Sequence, residues 1–498
     1  MIHSRWFTFI ILLSLIGLWS CSSSSPNTAL EAAPPPNIVF LFADDMTYTA
    51  IQALGNEEIE TPNLDKLVRN GTTFTHTYNM GGWNGAICVA SRSMMISGRS
   101  LWRANQFKDQ WQQNDSLALA QTWGQLMEQA GYDTYMTGKW HVAADPDSVF
   151  QTVRHVRPGM PNDFRNEGSF DSPETMPIGY NRPKNEQDQS WLPYDTAMGG
   201  FWEGGQHWSE VLRDDALDFL DSATAKPNPF FMYLAFNAPH DPRQAPKVFL
   251  DRYPLDSISL PESWIPRYPY EEDAGLGPML RDEALAPFPR TEYATKVHRQ
   301  EYYAIITHLD EQIGKILDAL EASGKMDNTY IFFSADHGLS VGRHGLLGKQ
   351  NMYDHSVRVP LMMVGPSIPA NQEISTDVYL QDIMATSLEL ADIEKPEYVE
   401  FNSFLGVAKG DGAEAYDAIY GAYVNYQRMI RKDDMKLIVY PSTNQILLYD
   451  LERDPHEITN LAEDPAYAEQ IVSLFQDLQG LQQQYADTLN LESMFNQL

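Results

Sequence analysis

Four groups of polar and charged residues each come directly after a predicted buried strand. In an open parallel sheet the carboxyl ends of the strands form one rim, and ligands bind along that rim. The sequence therefore predicts that the four groups converge on a single site. They are Asp44-Asp45, Lys139-Trp140-His141, His240 and Asp336-His337-Gly338.

The acidic members of this set predict a metal site. Asp44, Asp45 and Asp336 offer hard oxygen ligands that suit Ca²⁺, with Mg²⁺ as the alternative. His337 could either bind the metal or orient one of its ligands. Taken alone, Asp44-Asp45 could equally cap a helix, and a lone His240 is more often a hydrogen-bonded loop histidine. Together on one rim, the groups favour a functional site.

The strands and helices that position these groups alternate along the chain. Continuous apolar runs predict buried strands, and apolar residues at helical spacing predict the helices between them. The predicted strands are 37–42, 133–137, 230–236, 329–334 and 359–364, and the predicted helices are 61–70, 119–130, 209–221, 297–322 and 379–390. This order predicts an α/β fold, with a large, doubly wound, mostly parallel sheet flanked by helices.

The character of the chain changes after about residue 416. Short alternating segments at 418–422, 436–440 and 446–451, followed by a helix from about Tyr467, predict a smaller antiparallel subdomain. We therefore place an α/β catalytic domain at residues 37–415 and a C-terminal subdomain at 416–498. Two stretches rich in Pro, Asp, Arg and Trp, 145–208 and 240–296, are predicted to be long loops, and loops of that length usually serve function.

Composition limits the classes of function. The chain has 498 residues and a formal net charge of −32, from 35 Lys and Arg against 67 Asp and Glu. This charge would repel a phosphate backbone, so we expect no nonspecific nucleic-acid binding. A hydrophobic fraction of 43% supports a globular core and excludes wholesale disorder. Cys21 and Cys88 are the only cysteines, which excludes a disulfide scaffold.

The first residues predict export and lipid anchoring. Arg5 precedes an apolar run at 7–19 that is too short to span a bilayer comfortably and is typical of a signal peptide. The run ends in a segment that resembles a bacterial lipobox, in which Cys21 is acylated. An ordinary cleaved signal peptide with a coincidental cysteine is the alternative. We expect a signal peptide at 1–20, a tether at 21–36, and an exported lipoprotein, periplasmic or at the cell surface, that Cys21 anchors to a membrane.

The segment around Cys88 carries the most specific motif. Cys88-Val89-Ala90-Ser91-Arg92 resembles the signature of the type I sulfatases, which reads Cys or Ser, any residue, Pro or Ala, any residue, and Arg. These are formylglycine-dependent enzymes of the alkaline phosphatase superfamily. The resemblance continues over nearly the whole chain after the tether. Its further segments are NIVFLFADD (37–45), TPNLDKL (61–67), GKWH (138–141), ADHG (335–338), GK (348–349), RVPL (358–361) and LYDLERDP (448–455).

The resemblance implies hydrolysis of sulfate monoesters. In the family a maturation enzyme oxidises the motif cysteine to formylglycine, whose hydrate attacks sulfur. The implied metal ligands are Asp44, Asp45, Cys88, Asp336 and His337. The implied catalytic residues are Cys88, Arg92, Lys139, His141, His240 and Lys349. In these roles Arg92, Lys139 and Lys349 hold the nucleophile and sulfate. His240 protonates the leaving alcohol, and His141 removes the proton of the second formylglycine hydroxyl so that sulfate can depart.

Two positions depart from the family pattern. Many relatives have Asn where this chain has His337, so the resemblance leaves open whether His337 binds the metal directly. Relatives often read Gly-Glu-His-Gly where this chain has Gly-Arg-His-Gly at 342–345. Arg343 could contact a second anionic group of the substrate or face solvent.

Two alternatives to a sulfatase remain at this point. Phosphodiester and phosphonate monoester hydrolases of the same superfamily also use formylglycine, and the motifs do not separate sulfuryl from phosphoryl transfer. The second alternative is a surface lipoprotein that binds anionic glycans without catalysis. The intact nucleophile, metal and acid positions weigh against it.

We expect the substrate to be a sulfated carbohydrate, such as an oligosaccharide of the algal polysaccharides ulvan, fucan or carrageenan, because the tether places the enzyme among external polymers. Aromatic and cationic residues in the predicted loops could stack on sugar rings and hold carboxylate or sulfate. Several of the tryptophans could equally anchor the loops. The candidate substrate-binding residues are Arg154, Arg157, Trp202, His207 and Arg343, with His155, Trp191 and Trp208 close to them in sequence.

Overall fold

The computed structural model describes residues 34–161, 168–410, 412 and 416–497. The predicted signal peptide and Cys21 lie outside the described residues. Among the residues that are described, no helix is both long and apolar enough to cross a membrane.

The strands in chain order are β1 (Asn37–Ala43), β2 (Thr72–Tyr78), β3 (Gly81–Gly82), β4 (Asp133–Lys139), β5 (Thr152–Arg157), β6 (Trp202–Glu203), β7 (Gln206–His207), β8 (Phe230–Ala235), β9 (Thr329–Ala335), β10 (Arg358–Val364), β11 (Gln372–Ile374), β12 (Val378–Tyr379), β13 (Ile419–Tyr423), β14 (Gln427–Lys432), β15 (Met435–Tyr440) and β16 (Gln445–Asp450). The α-helices are α1 (Pro62–Asn70), α2 (Ile87–Ser97), α3 (Leu101–Gln112), α4 (Ser116–Leu119), α5 (Trp123–Gln129), α6 (Trp208–Thr224), α7 (Lys247–Leu250), α8 (Glu292–Ala322), α9 (Asp354–Val357), α10 (Asp382–Leu390), α11 (Leu405–Ala408), α12 (Ala468–Gln484) and α13 (Glu492–Phe495).

The main sheet confirms the predicted fold class. Its strands lie in the order β11-β2-β10-β9-β1-β8-β4-β5, and β12 pairs with β2. Strand β10 runs antiparallel to β9 and β2, and the other pairings of this sheet are parallel. All residues of the central strands β1, β8 and β9 are buried, as expected when both faces of a parallel sheet are covered.

The second sheet confirms the smaller antiparallel unit and adds an unexpected strand. Its order is β16-β15-β14-β13-β3, with antiparallel pairing except between β13 and β3. Strand β3 comes from the N-terminal half of the chain and precedes Cys88 by a few residues. A Cβ atom at Gly81 would lie 2.1 Å from the Ala422 carbonyl oxygen, so this pairing needs glycine.

Several elements differ from the sequence predictions. Helix α5 covers most of the predicted helix at 119–130, but Leu119 is the last residue of the separate helix α4. The predicted loop at 145–208 contains β5, β6 and β7. Helices α2 and α3 and strand β2 were not predicted. Ten of the eleven residues of α2 are buried, so this helix lacks the single apolar stripe that marks an amphipathic helix in sequence.

Candidate active site

Four adjacent strands bring the predicted groups together. In the order β9-β1-β8-β4, Ala335 pairs with Ala43, Phe42 with Ala235, and Ala235 with Gly138. The carboxyl ends of these strands are therefore level, and the polar residues that follow each strand meet at one place. This register confirms the convergence that the order of strands predicted.

Cys88 reaches the site from the first turn of α2. Its Sγ lies 3.2 Å from His337 Nε2 and 3.4 Å from Lys349 Nζ. One turn further, the Ser91 hydroxyl donates to the Asp336 carbonyl at 2.8 Å and Arg92 Nε donates to the Asp336 carboxylate at 3.0 Å. Since residues three and four apart share a helix face, the motif spacing places Cys88, Ser91 and Arg92 on the same side of α2.

The thiol of Cys88 is activated by its surroundings. Burial alone would raise its pKa, but the charges of Lys139, Lys349 and His337 hold the pKa of Cys88 well below its usual range. The helix N-terminus also favours negative charge at this position. These surroundings favour the thiolate form of Cys88, unlike those of a cysteine in an apolar core.

Five side chains form a cluster that can hold a cation. Each offers one ligand atom, and these atoms all lie within 4.8 Å of one another. The members, all buried, are Asp44, Asp45, Cys88, Asp336 and His337. Asp44 Oδ1 is buried without a hydrogen-bond partner, and burial together with the charge of Asp336 raises the pKa of Asp44 well above its usual value. This oxygen-rich, incompletely paired set fits Ca²⁺ or Mg²⁺.

His337 is oriented as a ligand. Its Nδ1 lies 2.9 Å from the Gly338 carbonyl, which can only accept, so Nδ1 carries a proton and Nε2 faces the cluster. Burial opposes a positive charge on the ring, but Asp336 and Asp45 raise the pKa of His337 to about 9. Without a cation these carboxylates retain a proton on Nε2, which a metal would replace.

Three buried cationic side chains surround Cys88. Lys139 bonds to Asp44, and Lys349 Nζ lies 2.7 and 2.9 Å from the two carboxylate oxygens of Asp45. Burial would lower the pKa of each lysine, but these aspartates raise it, so both lysines are charged. Arg92 donates to the Lys139 carbonyl at 2.8 Å, and its Nη2 has no hydrogen-bond partner. The site can therefore hold an anion.

Two histidines flank this centre with free ring positions. His240 Nδ1 donates to the Asp241 carbonyl at 2.6 Å, which leaves Nε2 facing the site 3.7 Å from Asp45. His141 is half-buried, hydrogen-bonds Cys88, and has a buried Nδ1 without a partner. Burial lowers the pKa of His141, so its ring is neutral at pH 7 and can accept a proton. A Cβ atom at Gly159 would lie 2.3 Å from the His141 ring, so only glycine at position 159 leaves room for the ring in this position.

Several supporting residues were missed by the sequence reasoning. Asn79 Nδ2 donates to the Asp336 carbonyl at 2.6 Å, and the Tyr302 hydroxyl donates to the Asp45 carbonyl at 2.7 Å. Asn79 directly follows β2 and would have been found by the same rim rule had β2 been predicted. Tyr302 lies in the middle of α8, where nothing local distinguishes it from a core residue.

Most candidate substrate-binding residues lie in contacts of their own. Arg154 pairs with Asp218, and Arg157 lies 2.5 Å from Glu203 with its guanidinium 4.5 Å from the Trp208 ring centre. These ion pairs occupy the two side chains, although Arg157 itself pairs in register with Lys139 and its carbonyl accepts from the Trp140 amide at 3.1 Å. The substrate role of Arg154 and Arg157 stays a prediction.

The assignment of His207 needs correction. His207 is 1% exposed, its Nε2 donates to the Gln244 carbonyl at 3.0 Å, and its Nδ1 accepts from the Ser209 amide at 3.1 Å. Both ring nitrogens are therefore used internally, and His207 caps α6 instead of binding substrate. The neighbouring Trp202 packs against this ring, with centroids 5.2 Å apart, and donates to the Pro193 carbonyl at 3.3 Å.

Arg343 is hydrogen-bonded within the protein, and its contact with a second anionic group of the substrate stays a prediction. Its guanidinium donates to the Thr49 hydroxyl at 2.9 Å and to the Ser340 carbonyl at 3.3 Å. Arg343 is half-buried and connects the loop after β1 with the loop after β9. In this structure it supports the two loops that carry the metal cluster.

Comparison with known proteins identifies the family. Residues 36–393 match the model of the family described as Sulfatase, and residues 342–484 match the one described as N-sulphoglucosamine sulphohydrolase, C-terminal. The chain is 26% identical to an N-acetylglucosamine-6-O-sulfatase of Bacteroides thetaiotaomicron, over 96% of this chain and 91% of that protein.

Solved structures share the fold. One, in complex with its substrate D-glucosamine-2-N,6-O-disulfate, has a TM-score of 0.69 at 23% identity, over 91% of this chain and 99% of that one. Another, in complex with a k-i-k-neocarrahexaose, has a TM-score of 0.63 at 21% identity, over 90% and 92% of the two chains. Because the first family model covers most of the residues, the chain belongs to the sulfatase family of the alkaline phosphatase superfamily and is a sulfuric ester hydrolase.

Proposed function

We propose that this enzyme is an exported sulfatase that removes sulfate from carbohydrate, with a formylglycine made from Cys88 and a bound Ca²⁺. The observation that carries the proposal is the position of Cys88. Its Sγ lies at the start of α2, within 3.4 Å of both a buried lysine and a ligand-oriented histidine of the metal cluster. A reactive side chain between an anion-holding group and a metal site is what sulfate transfer to the enzyme requires.

The metal and the modified cysteine would each supply one part of the chemistry. When bound, Ca²⁺, or Mg²⁺ as the alternative, would neutralise negative charge on the sulfate, and formylglycine would supply the attacking oxygen. Asp44, Asp45, Asp336 and His337 would hold the metal together with the side chain at position 88. Asp44 Oδ1 accepts no hydrogen bond and has the Arg92 guanidinium 3.9 Å away, so it is available to a cation.

The remaining residues divide the work of binding and proton transfer. The charged Lys139 and Lys349 would bind the sulfate oxygens, and Arg92 holds Asp336 and the Lys139 backbone in place. His240 Nε2 faces the site and would donate a proton to the leaving alcohol. The neutral His141, beside Cys88, would remove a proton from the group at position 88 when sulfate departs.

We further propose a sulfated carbohydrate as substrate and fragments of algal polysaccharides, such as ulvan, fucan or carrageenan, as the natural source. Support comes from the aminosugar sulfatase relative and from the two similar folds solved with a sulfated aminosugar and a neocarrahexaose. Export and lipidation at Cys21 belong to the same proposal, since a polymer fragment would be met outside the cytoplasm. A formylglycine-maturation enzyme is then a required partner.

The proposal is tested with protein coexpressed with a maturation enzyme. Peptide mass spectrometry should find Cys88 converted, with a loss of about 18 Da relative to cysteine. The protein should then release sulfate from members of a panel of defined sulfated oligosaccharides, and Cys88→Ala should not. Faster turnover of an aryl phosphodiester than of any sulfate ester would identify a phosphodiester hydrolase. Unconverted thiol with glycan binding and no turnover would identify a binding protein.

A further inference from the structure

Arg281 joins three parts of the chain beside the active site. Its Nε donates to the Tyr180 hydroxyl at 2.9 Å, and its two Nη atoms bind the carboxylates of Asp282 and Asp241. All three guanidinium nitrogens are therefore used within the protein. The side chain is 24% exposed, whereas those of Asp241 and Asp282 are 7% and 4% exposed.

The two carboxylates that Arg281 binds lie next to two proposed reacting residues. His240 Nδ1 lies 2.6 Å from the Asp241 carbonyl and 3.3 Å from the Asp241 carboxylate. Asp282 Oδ2 lies 3.9 Å from Lys349 Nζ, which is closer, at 2.7 Å, to Asp45. Each carboxylate could therefore attract a positively charged neighbour away from the site.

Arg281 opposes that attraction by neutralising both acids. Burial alone would raise the pKa values of Asp241 and Asp282, but the Arg281 guanidinium holds both below their usual range, so both are ionised. Without the guanidinium, two buried negative charges would remain beside His240 and Lys349. Leaving one partner of a buried ion pair uncompensated is strongly unfavourable, so the nearest cations would move toward it.

We propose that Arg281 is a positioning residue that keeps His240 and Lys349 directed at the substrate. It acts through Asp241 and Asp282 and needs no contact with the sulfate. The inference rests on the proposed function, because it takes His240 as the proton donor and Lys349 as a sulfate ligand. In this role Arg281 would give the charged loop between α7 and α8 a function in catalysis.

The test compares phenyl sulfate, whose leaving group needs protonation, with 4-nitrophenyl sulfate, whose leaving group does not. For Arg281→Gln we expect kcat on phenyl sulfate to fall about 10- to 100-fold, since a displaced proton donor loses part of its contribution. On 4-nitrophenyl sulfate kcat should change less than about threefold, because this leaving group departs without a proton from His240. KM should rise for both substrates because Lys349 is drawn toward Asp282. Arg281→Lys keeps the charge and should show the same pattern with smaller changes.

Second substitutions separate the effect of Arg281 on His240 from its effect on Lys349. Adding Asp241→Asn to Arg281→Gln should restore kcat on phenyl sulfate, because the charge that attracts His240 is gone. Adding Asp282→Asn should instead lower KM on both substrates toward the wild-type value. A residue that only supported the fold would show neither selective recovery.

Arg428 provides a matched control. Its buried guanidinium binds Asp487 at 2.6 and 2.9 Å in the C-terminal sheet, and Arg428→Gln should reduce activity on both aryl sulfates by the same factor. The rates of each variant are normalised to its formylglycine content, and thermal unfolding checks that each variant is folded. Equal losses for Arg281→Gln at unchanged KM, or no recovery in the double variants, would overturn the inference. Wild-type protein that converts Cys88 but releases sulfate from neither the aryl sulfates nor any oligosaccharide of the panel would overturn the proposed function and the inference with it.

Discussion

Replacing Asp44 by Asn tests the metal cluster with a readout that does not depend on activity. The substitution keeps the shape of the side chain. Because a bound cation would keep this carboxyl ionised despite its raised pKa, the substitution removes one negative charge from the metal-bound state. Asp44 Oδ1 accepts no hydrogen bond and lies 3.9 Å from Arg92 Nη2, so it is available as a metal ligand. Asp44 also pairs with Lys139, so the variant loses some stability even without metal. The informative quantity is therefore the change on adding Ca²⁺, measured within each protein.

The expected magnitude follows from the charge removed. At about 4 Å and an effective dielectric constant of about 20, a unit charge pair contributes about 4 kcal/mol, and since Ca²⁺ carries two charges this value is a lower bound. A loss of that size corresponds to about a 10³-fold weaker affinity, at about 1.36 kcal/mol for each factor of ten. At a Ca²⁺ concentration about 100 times the wild-type Kd, binding stabilises wild type by about 2.7 kcal/mol and the variant by less than about 0.1 kcal/mol.

Thermal unfolding with Ca²⁺ and with a chelator measures this difference. A chain of this length has an unfolding entropy of about 1 kcal/mol/K, so Ca²⁺ should raise the wild-type Tm by about 3 °C and leave the Asp44→Asn Tm unchanged. Asp382 is the matched control, since it is a buried carboxylate outside the metal cluster, and Asp382→Asn should keep the wild-type shift. A wild-type Tm that does not respond to Ca²⁺, or an undiminished shift in Asp44→Asn, would refute the assignment.

Four further predictions follow from individual residues. Cys88→Ala should abolish sulfate release, by at least about 10³-fold, with a Tm within a few degrees of wild type, because the nucleophile comes from a side chain and not from a core contact; activity within tenfold of wild type would contradict the mechanism. His207→Ala should lower the free energy of unfolding by about 2 kcal/mol, since it removes the cap of α6 and leaves the Gln244 carbonyl unpaired, and it should reduce turnover of oligosaccharide and aryl sulfate alike; a loss confined to the oligosaccharide would return His207 to the substrate site. Burial raises the pKa of Asp382 to about 7, so this carboxyl binds more protons in the folded than in the unfolded protein, and its contribution to stability is lost as the pH rises from about 4 to 7. Urea unfolding should show wild type losing stability relative to Asp382→Asn between pH 5 and pH 8. A constant difference between the two proteins would show that Asp382 does not titrate in this range. Cys21→Ser should move the protein from the membrane fraction to the soluble fraction, and unchanged sedimentation with membranes would refute lipid anchoring.

Much of the site was predictable because parallel strands impose a simple geometric rule. Once the apolar runs that became β1, β4, β8 and β9 were recognised, the residues after them had to meet at one rim, and the register of these strands is level. Cys88 did not follow from that rule, because α2 is buried nearly all round and leaves no periodic signal in the sequence. Its role was recognised from the motif, whose spacing is explained by the shared face of Cys88 and Arg92.

The substrate-binding predictions show the limit of reasoning from composition. The loops at 145–208 contain the aromatic and cationic residues that sugar binding would use, but composition does not say where a side chain points. In the structure Arg157 forms an ion pair with Glu203, Arg154 forms one with Asp218, and the buried His207 caps a helix. A cation in a chain with a charge of −32 meets carboxylates readily, so most such residues end in internal pairs.

The order of strands and helices, the set of chemical groups and the family can all be inferred from the amino-acid sequence, because these depend on runs of neighbouring residues and on short motifs. The charge pairing is visible in the folded chain alone, where Lys139 pairs with Asp44, Lys349 with Asp45, and Arg281 with Asp241 and Asp282. Several of these partners lie far apart in the chain, and no local period relates them. Their pairing depends on how strands and loops pack, since burial makes each unpaired charge costly and so selects the arrangement in which each cation finds an anion.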